Sequence, residues 1–210
     1  MGTSTAPLFP MFLKLEGRNC LVAGAGSVGE PKIRSLVETG ARVRVVAPAA
    51  SDAVQEWAKR GELAWAARPF ESPDLDGILL VVAATSSPDV NHAVFREAQA
   101  RGILCNVVDD PLHCDFYYPA VMRRGQLQIA ISTAGLSPAL AQRIRRQLER
   151  EFPPAYGTWL EALGERRQQL FAGGSPPEVR RAILHEIATS EAFVEFQRNL
   201  QAEVGRKEVL

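Results

Sequence analysis

Short unbroken apolar runs along this chain alternate with stretches whose apolar residues recur at helical spacing. "NCLVAGAG" is one such run, closing in glycines. "SVGEPKIRSLVETG" follows with Val28, Ile33, Leu36 and Val37 on a helical period, and Gly40 where a helix would stop. "ARVRVVAP" is rich in β-branched residues and closes at Pro48. The alternation continues with a helix near 51–60, a short strand at "ELAWAA", a buried strand at "GILLVVAAT", a helix over about 88–101 and a strand at "ILCNVV". Alternating strands and helices with fully apolar strands predict a parallel sheet covered on both faces.

Beyond Asp110 the pattern changes. "YYPAVMRRGQLQIAIST" predicts two strands joined as a hairpin at "RRGQ", and "LSPALAQRIRRQLEREF" predicts a helix with Ser137 as N-cap and Pro138 at its first position. From Pro153 onward the periodicity is helical, broken only at "AGGSPP". The fold class predicted is α/β: a Rossmann-type domain over 1–112, a small α+β dimerisation region over 113–152 and a helical domain over 153–210.

Composition narrows the function classes. Lys+Arg and Asp+Glu both number 24, so no basic field exists to hold nucleic acid or an anionic membrane. Cys20, Cys105 and Cys114 are odd in number and lack C-x-x-C spacing, which argues against a disulfide framework or a structural zinc site. His92, His113 and His185 lie far apart or singly along the chain, so no resident metal is expected. No run approaches the ~18 apolar residues of a membrane span, and a cytoplasmic protein is the expectation.

The candidate chemistry starts at Gly24, Gly26 and Gly29, a G-x-G-x-x-G loop between a predicted strand and a predicted helix. Glycines there let a dinucleotide pyrophosphate approach the backbone at a helix N-terminus. The acid that usually grips the adenosine ribose is missing, since the second strand ends in Ala47 and Pro48. At the far end of the predicted domain, "NVVDDP" carries Asp109 and Asp110 at a strand tip, where doubly wound sheets gather their ligands. Asp110 reads more simply as the start of a turn before Pro111.

These stretches, with "AATSSPDVN" and "CNVVDDPLHCDFYYPAVMRRGQLQIAISTAGLSPALAQRIR", resemble in order and content the dehydrogenase and ferrochelatase module of the siroheme synthase family, over roughly residues 8–150. The chain keeps Lys32 of the family's first loop but has Pro31 where an arginine is usual and Gly29 where an alanine is usual. The resemblance implies NAD-dependent oxidation of precorrin-2 to sirohydrochlorin by a homodimer paired through residues 113–150. Some members also insert Fe2+, and chelation with Fe2+ or Co2+ as substrate stays open here. It further implies NAD contacts from Gly24, Gly26, Ser27, Val28, Pro48, Ala49, Ala84 and Thr85, and an essential carboxylate at Asp109. A substrate site follows near Ser132, Thr133 and Ser137, where the anionic tetrapyrrole would also meet basic residues, among them Arg143 and Arg146, with Lys14, Lys32, Arg123 and Arg124 as further candidates. The 210 residues leave no room for the methyltransferase that some relatives carry behind this module, so a methylated substrate is expected from another protein. A rival reading is a nucleotide-sensing regulatory module with the same loop and sheet but no redox chemistry, which would need neither Asp109 nor "STAGLSP".

Overall fold

A computed structural model describes residues 7–207. Five parallel strands make the first sheet: β1 (Asn19–Ala25), β2 (Arg42–Ala50), β3 (Ala64–Ala66), β4 (Leu80–Ala83) and β5 (Leu104–Val107). Their order is β3-β2-β1-β4-β5. The helices α1 (Gly29–Val37), α2 (Asp52–Lys59) and α3 (Pro88–Ala100) are the crossovers, with α1 against β1 and β2 and α3 against β4 and β5. Every residue of β4, and all of β1 after Asn19, is buried, as a sheet covered on both faces requires. Leu21, Val81, Val94, Ala98 and Cys105 lie in one apolar cluster between sheet and helix.

The chain reverses its strand order between β1 and β4, which places a ligand crevice beyond the carboxyl ends of those two strands. Pro31 is accommodated because α1 starts only two residues earlier, where backbone N–H groups lack intrahelical partners. Two details differ from the sequence expectation. Strand β2 runs past Pro48 to Ala50, because a register shift between Ala23 and Ala25 lets the longer strand stay paired. Val28 does not join the apolar stripe of α1 but stands at its N-cap, 48% exposed.

The entry into β4 is fixed by a one-turn 3-10 helix, Ser72–Leu75. Its Asp74 is 4% exposed and takes two hydrogen bonds from the Arg68 guanidinium, at 2.6 and 2.8 Å, and one from the Glu71 N–H at 2.9 Å. The Arg68 contacts lead in holding the Asp74 carboxyl below the usual carboxylate range. A lowered native pKa stabilises the fold above the unfolded value of about 3.9, and the contribution is lost as pH falls through the native value. Asp74→Asn should therefore be less stable at neutral pH, and its urea midpoint should fall less than wild type between about pH 5 and about pH 3.

By contacts the chain separates into two units, one ending at Tyr117 and the other beginning at Tyr118. Residues 111–116 stay with the first unit because Asp115 accepts from the Cys105 N–H at 2.9 Å and Asn106 bridges to Cys114 across an antiparallel step. The second unit holds an antiparallel hairpin, β6 (Ala120–Arg124) and β7 (Leu127–Ile131), then α4 (Pro138–Glu151), α5 (Ala155–Ala172), α6 (Pro177–Glu186) and α7 (Ser190–Lys207). Arg124 joins hairpin to helices, donating to the carbonyls of Phe152 at 2.7 Å and Glu149 at 2.8 Å. A cluster of Phe152, Tyr156, Trp159 and Phe193, with Tyr156 and Phe193 centroids 3.9 Å apart, packs α5 against α7. Among the described residues no helix is long and apolar enough to cross a membrane.

Candidate functional site

The three glycines of the loop after β1 have different physical reasons to be glycine. Gly24 sits at φ 104, and a Cβ there would lie 2.3 Å from the Ala84 carbonyl oxygen. A Cβ on Gly29 would lie 2.3 Å from the Gly24 oxygen, so this residue lets α1 close onto the end of β1. A Cβ on Gly26 would meet nothing within 4 Å. Two glycines are therefore demanded by the protein's own packing, whereas the middle one borders open space at the start of α1. That is the place where a dinucleotide loop brings bare backbone against a pyrophosphate. Ser27 and Val28 continue the exposed rim of the same turn.

Ala84 and Thr85 follow β4 directly. Asn91, 8% exposed, locks their turn: the Thr85 N–H and hydroxyl both donate to its Oδ1, at 3.1 and 2.7 Å, and its amide donates to the Thr85 carbonyl at 3.1 Å. The sequence carries no signal for Asn91: "AATSSPDVN" contains it, but nothing in the spacing shows that its side chain folds back. Pro48 and Ala49 lie exposed near the end of β2, just after Ala47, whose carbonyl accepts from the Trp65 indole at 3.0 Å. The eight residues expected to contact NAD thus gather at the carboxyl ends of the adjacent strands β2, β1 and β4.

Asp109 follows β5 by two residues and is exposed, with φ 62. A left-handed backbone is unfavourable for a side-chain-bearing residue, though Asp tolerates it better than most, and such positions concentrate at functional sites. Burial draws the Lys32 ammonium of α1 below the usual lysine range while the Asp109 carboxylate pulls it back up, so these two charges feel one another. Both lie in the first unit, on the loop edge of the sheet.

The structure extends one sequence expectation here and corrects another. Asp110 does open a turn, with the His113 N–H donating to its carbonyl at 3.1 Å, but its side chain caps nothing. Instead its Oδ2 lies 3.0 Å from His92 Nε2 and 2.7 Å from His113 Nδ1. Burial pushes the Asp110 carboxyl up, but the hydrogen bonds from His92 and His113 outweigh it and hold the group below the usual carboxylate range. Two of the three histidines that look scattered along the chain, His92 and His113, therefore meet at one carboxylate, because the crossover from β4 to β5 returns α3 beside the strand tip, whereas His185 lies on α6 in the second unit. The Cys114 thiol is spent on the Val107 and Asp110 carbonyls, at 3.1 and 3.2 Å, and burial is the leading cause of its raised pKa.

In the second unit, Ser132, Thr133 and Ser137 are brought together in one turn. Ser132 Oγ accepts from the Ala134 N–H, Thr133 Oγ1 from the Ser137 N–H, and Ser137 Oγ caps α4 by accepting from the Leu140 N–H at 3.2 Å. Ala134 at φ 50 and Gly135 at φ 80 shape the turn. Arg143 and Arg146 are exposed on α4. Arg124, considered from sequence for substrate carboxylates, is instead committed to backbone carbonyls within its own unit.

A five-stranded parallel sheet with an open middle glycine at the switch between β1 and β4 defines an NAD(P)-binding protein of Rossmann type. Residues 11–120, just over half of the chain, match the family described as "Putative NAD(P)-binding", and residues 124–151 match "Sirohaem biosynthesis protein central". The chain belongs to this NAD(P)-binding family, in the form found in siroheme synthases. The siroheme synthase of Photorhabdus laumondii is 42% identical over 161 residues, covering 77% of this chain and 34% of that protein. The siroheme synthase of Xylella fastidiosa is 37% identical over 199 residues, covering 93% of this chain and 42% of that protein. This chain thus spans well under half the length of either curated relative. A solved structure titled "SirC, precorrin-2 dehydrogenase" superposes with a TM-score of 0.79 at 27% identity, covering 95% of this chain and all of that one.

Proposed function

We propose that this chain oxidises precorrin-2 to sirohydrochlorin with NAD, acting in the cytoplasm as a homodimer. The observation that carries the reading is the loop edge of the sheet, where open space at Gly26 and an exposed Asp109 in a left-handed backbone belong to the same unit. The cradle fits a dinucleotide: Gly26 leaves room for the pyrophosphate beside the N-terminal, positive end of the α1 dipole. Ser27, Val28, Pro48, Ala49, Ala84 and Thr85 would border the rest of the cofactor, which supplies a hydride acceptor when bound.

Oxidation removes a hydride and a proton from the tetrapyrrole. Asp109 is the residue assigned to take the proton, being an exposed carboxylate at the strand tip. Lys32 lies within electrostatic reach of that carboxylate and places a positive charge beside the anionic substrate. The same carboxylate can accept pyrrole protons displaced when Fe2+ or Co2+ enters sirohydrochlorin, the metal then being a substrate. Ser132, Thr133, Ser137, Arg143 and Arg146 are assigned to the substrate, with the α4 N-terminus and the two arginines as partners for its carboxylates. Pairing of two copies through 113–150 is supported by the exposed Leu136 and Leu140 at the start of α4, apolar surface that a second copy would cover.

Mixing the purified chain with NAD and precorrin-2 should yield NADH and sirohydrochlorin in equal amounts, followed by their absorbance. Binding of NAD with no NADH formed at any pH would instead favour the nucleotide-sensing reading.

A further inference from the structure

His92 comes from the middle of α3, and Asp110 and His113 come from the turn beyond β5, yet one ring nitrogen of each histidine points at the same carboxylate oxygen. We propose that His92 Nε2, Asp110 Oδ2 and His113 Nδ1 form a binding site for one divalent transition-metal ion of the Fe2+, Co2+, Ni2+ or Zn2+ class. The site rests on these three residues and does not depend on the dehydrogenase reading.

The geometry is that of a ligand set. Two donor atoms that each bind a metal at ~2.1 Å, about a right angle apart, lie ~3.0 Å from one another. The two histidine nitrogens are 3.0 and 2.7 Å from Asp110 Oδ2. All three ligand atoms lie within 4.8 Å of one another, so a small rotation of the two partly exposed imidazoles brings them around a single ion. An entering ion displaces the protons that these nitrogens share with Asp110, and the neutral imidazoles, protonated at their other nitrogens, offer lone pairs here while the carboxylate adds the negative charge that three neutral donors would lack.

The surroundings hold the donors in place. The His92 and His113 rings lie 4.6 Å apart between centroids, and Phe95 meets the His113 ring edge-on at 4.8 Å. His92 and Phe95 stand three residues apart on α3, so one helix face supplies a ligand and the wall behind the other. Pro111 stiffens the turn that carries Asp110 and His113. Side-chain exposures of 41% for His92, 28% for Asp110 and 33% for His113 leave the convergence point reachable from water. Three protein ligands leave coordination positions for water or an incoming donor, and two imidazoles select borderline transition metals over Mg2+ and Ca2+.

The probe is Co2+, titrated into the chelator-treated full chain and followed by calorimetry and by its visible d–d absorption. One Co2+ per chain should bind, resist excess Mg2+, and be weakened at least ~10-fold by either His92→Ala or His113→Ala, a loss no smaller than that for outer-shell partners of metal sites. Thermal midpoint and NAD affinity of the variants report the fold. Should His113→Ala melt early because it loses Phe95, His92→Ala, the more exposed of the two, carries the test. Absence of saturable binding below ~1 mM Co2+, or unchanged affinity and spectrum in His92→Ala, would show that the cluster is only a hydrogen-bonded network.

Discussion

Asp109→Asn should lower the rate of precorrin-2 oxidation by about 10²- to 10⁴-fold, the usual contribution of a positioned general base. Asparagine is the informative replacement. It keeps the shape of the side chain and tolerates the left-handed backbone at φ 62, so the turn after β5 should survive. What it removes is the capacity to accept a proton and the charge felt by Lys32. The defect should therefore appear in kcat, with NAD affinity unaffected, because the cofactor contacts are assigned to the ends of β1, β2 and β4. Steady-state rates from NADH absorbance check this, and a variant as active as wild type would remove Asp109 from the chemistry.

Gly26→Val should abolish NAD binding without unfolding the protein. Its Cβ enters open space, so the substitution meets no protein atom within 4 Å at that carbon, but it fills the gap through which a pyrophosphate reaches the backbone. A loss of at least ~100-fold in NAD affinity, about 2.7 kcal/mol, is expected with little change in thermal midpoint. Gly24→Ala should do the opposite first. Its Cβ would meet the Ala84 oxygen at 2.3 Å from a backbone at φ 104, and relieving both should cost on the order of 3 kcal/mol of stability. Urea unfolding and calorimetric NAD titration of the two variants separate these effects.

Much of the fold is legible in the chain because its local signals agree. The strands from "NCLVAGAG" to "ILCNVV" are continuous apolar runs, and Ser51, Ser87 and Ser137 each cap a helix through a side-chain oxygen. The hairpin at "RRGQ" turns on Gly125, whose φ of 55 suits glycine. The 3-10 turns at Ser72–Leu75 and Pro111–His113 escape notice because they are shorter than any period that could betray them. The site divides in the same way. The glycine loop and the strand-tip acids are written locally, whereas the meeting of His92 with Asp110 and the locking of Thr85 by Asn91 exist only once α3 packs back onto the sheet. Arg124 shows the converse: a cation that looks available in sequence is used up by carbonyls at the end of α4.

One sheet edge is assigned two separable duties, cofactor binding at Gly26 and proton transfer at Asp109. Calorimetric titration of NAD into wild type, Gly26→Val and Asp109→Asn tests that division most directly. Wild type and Asp109→Asn should bind NAD equally and Gly26→Val should not bind it. Retention of NAD by Gly26→Val, or its loss in Asp109→Asn, would contradict the assignment.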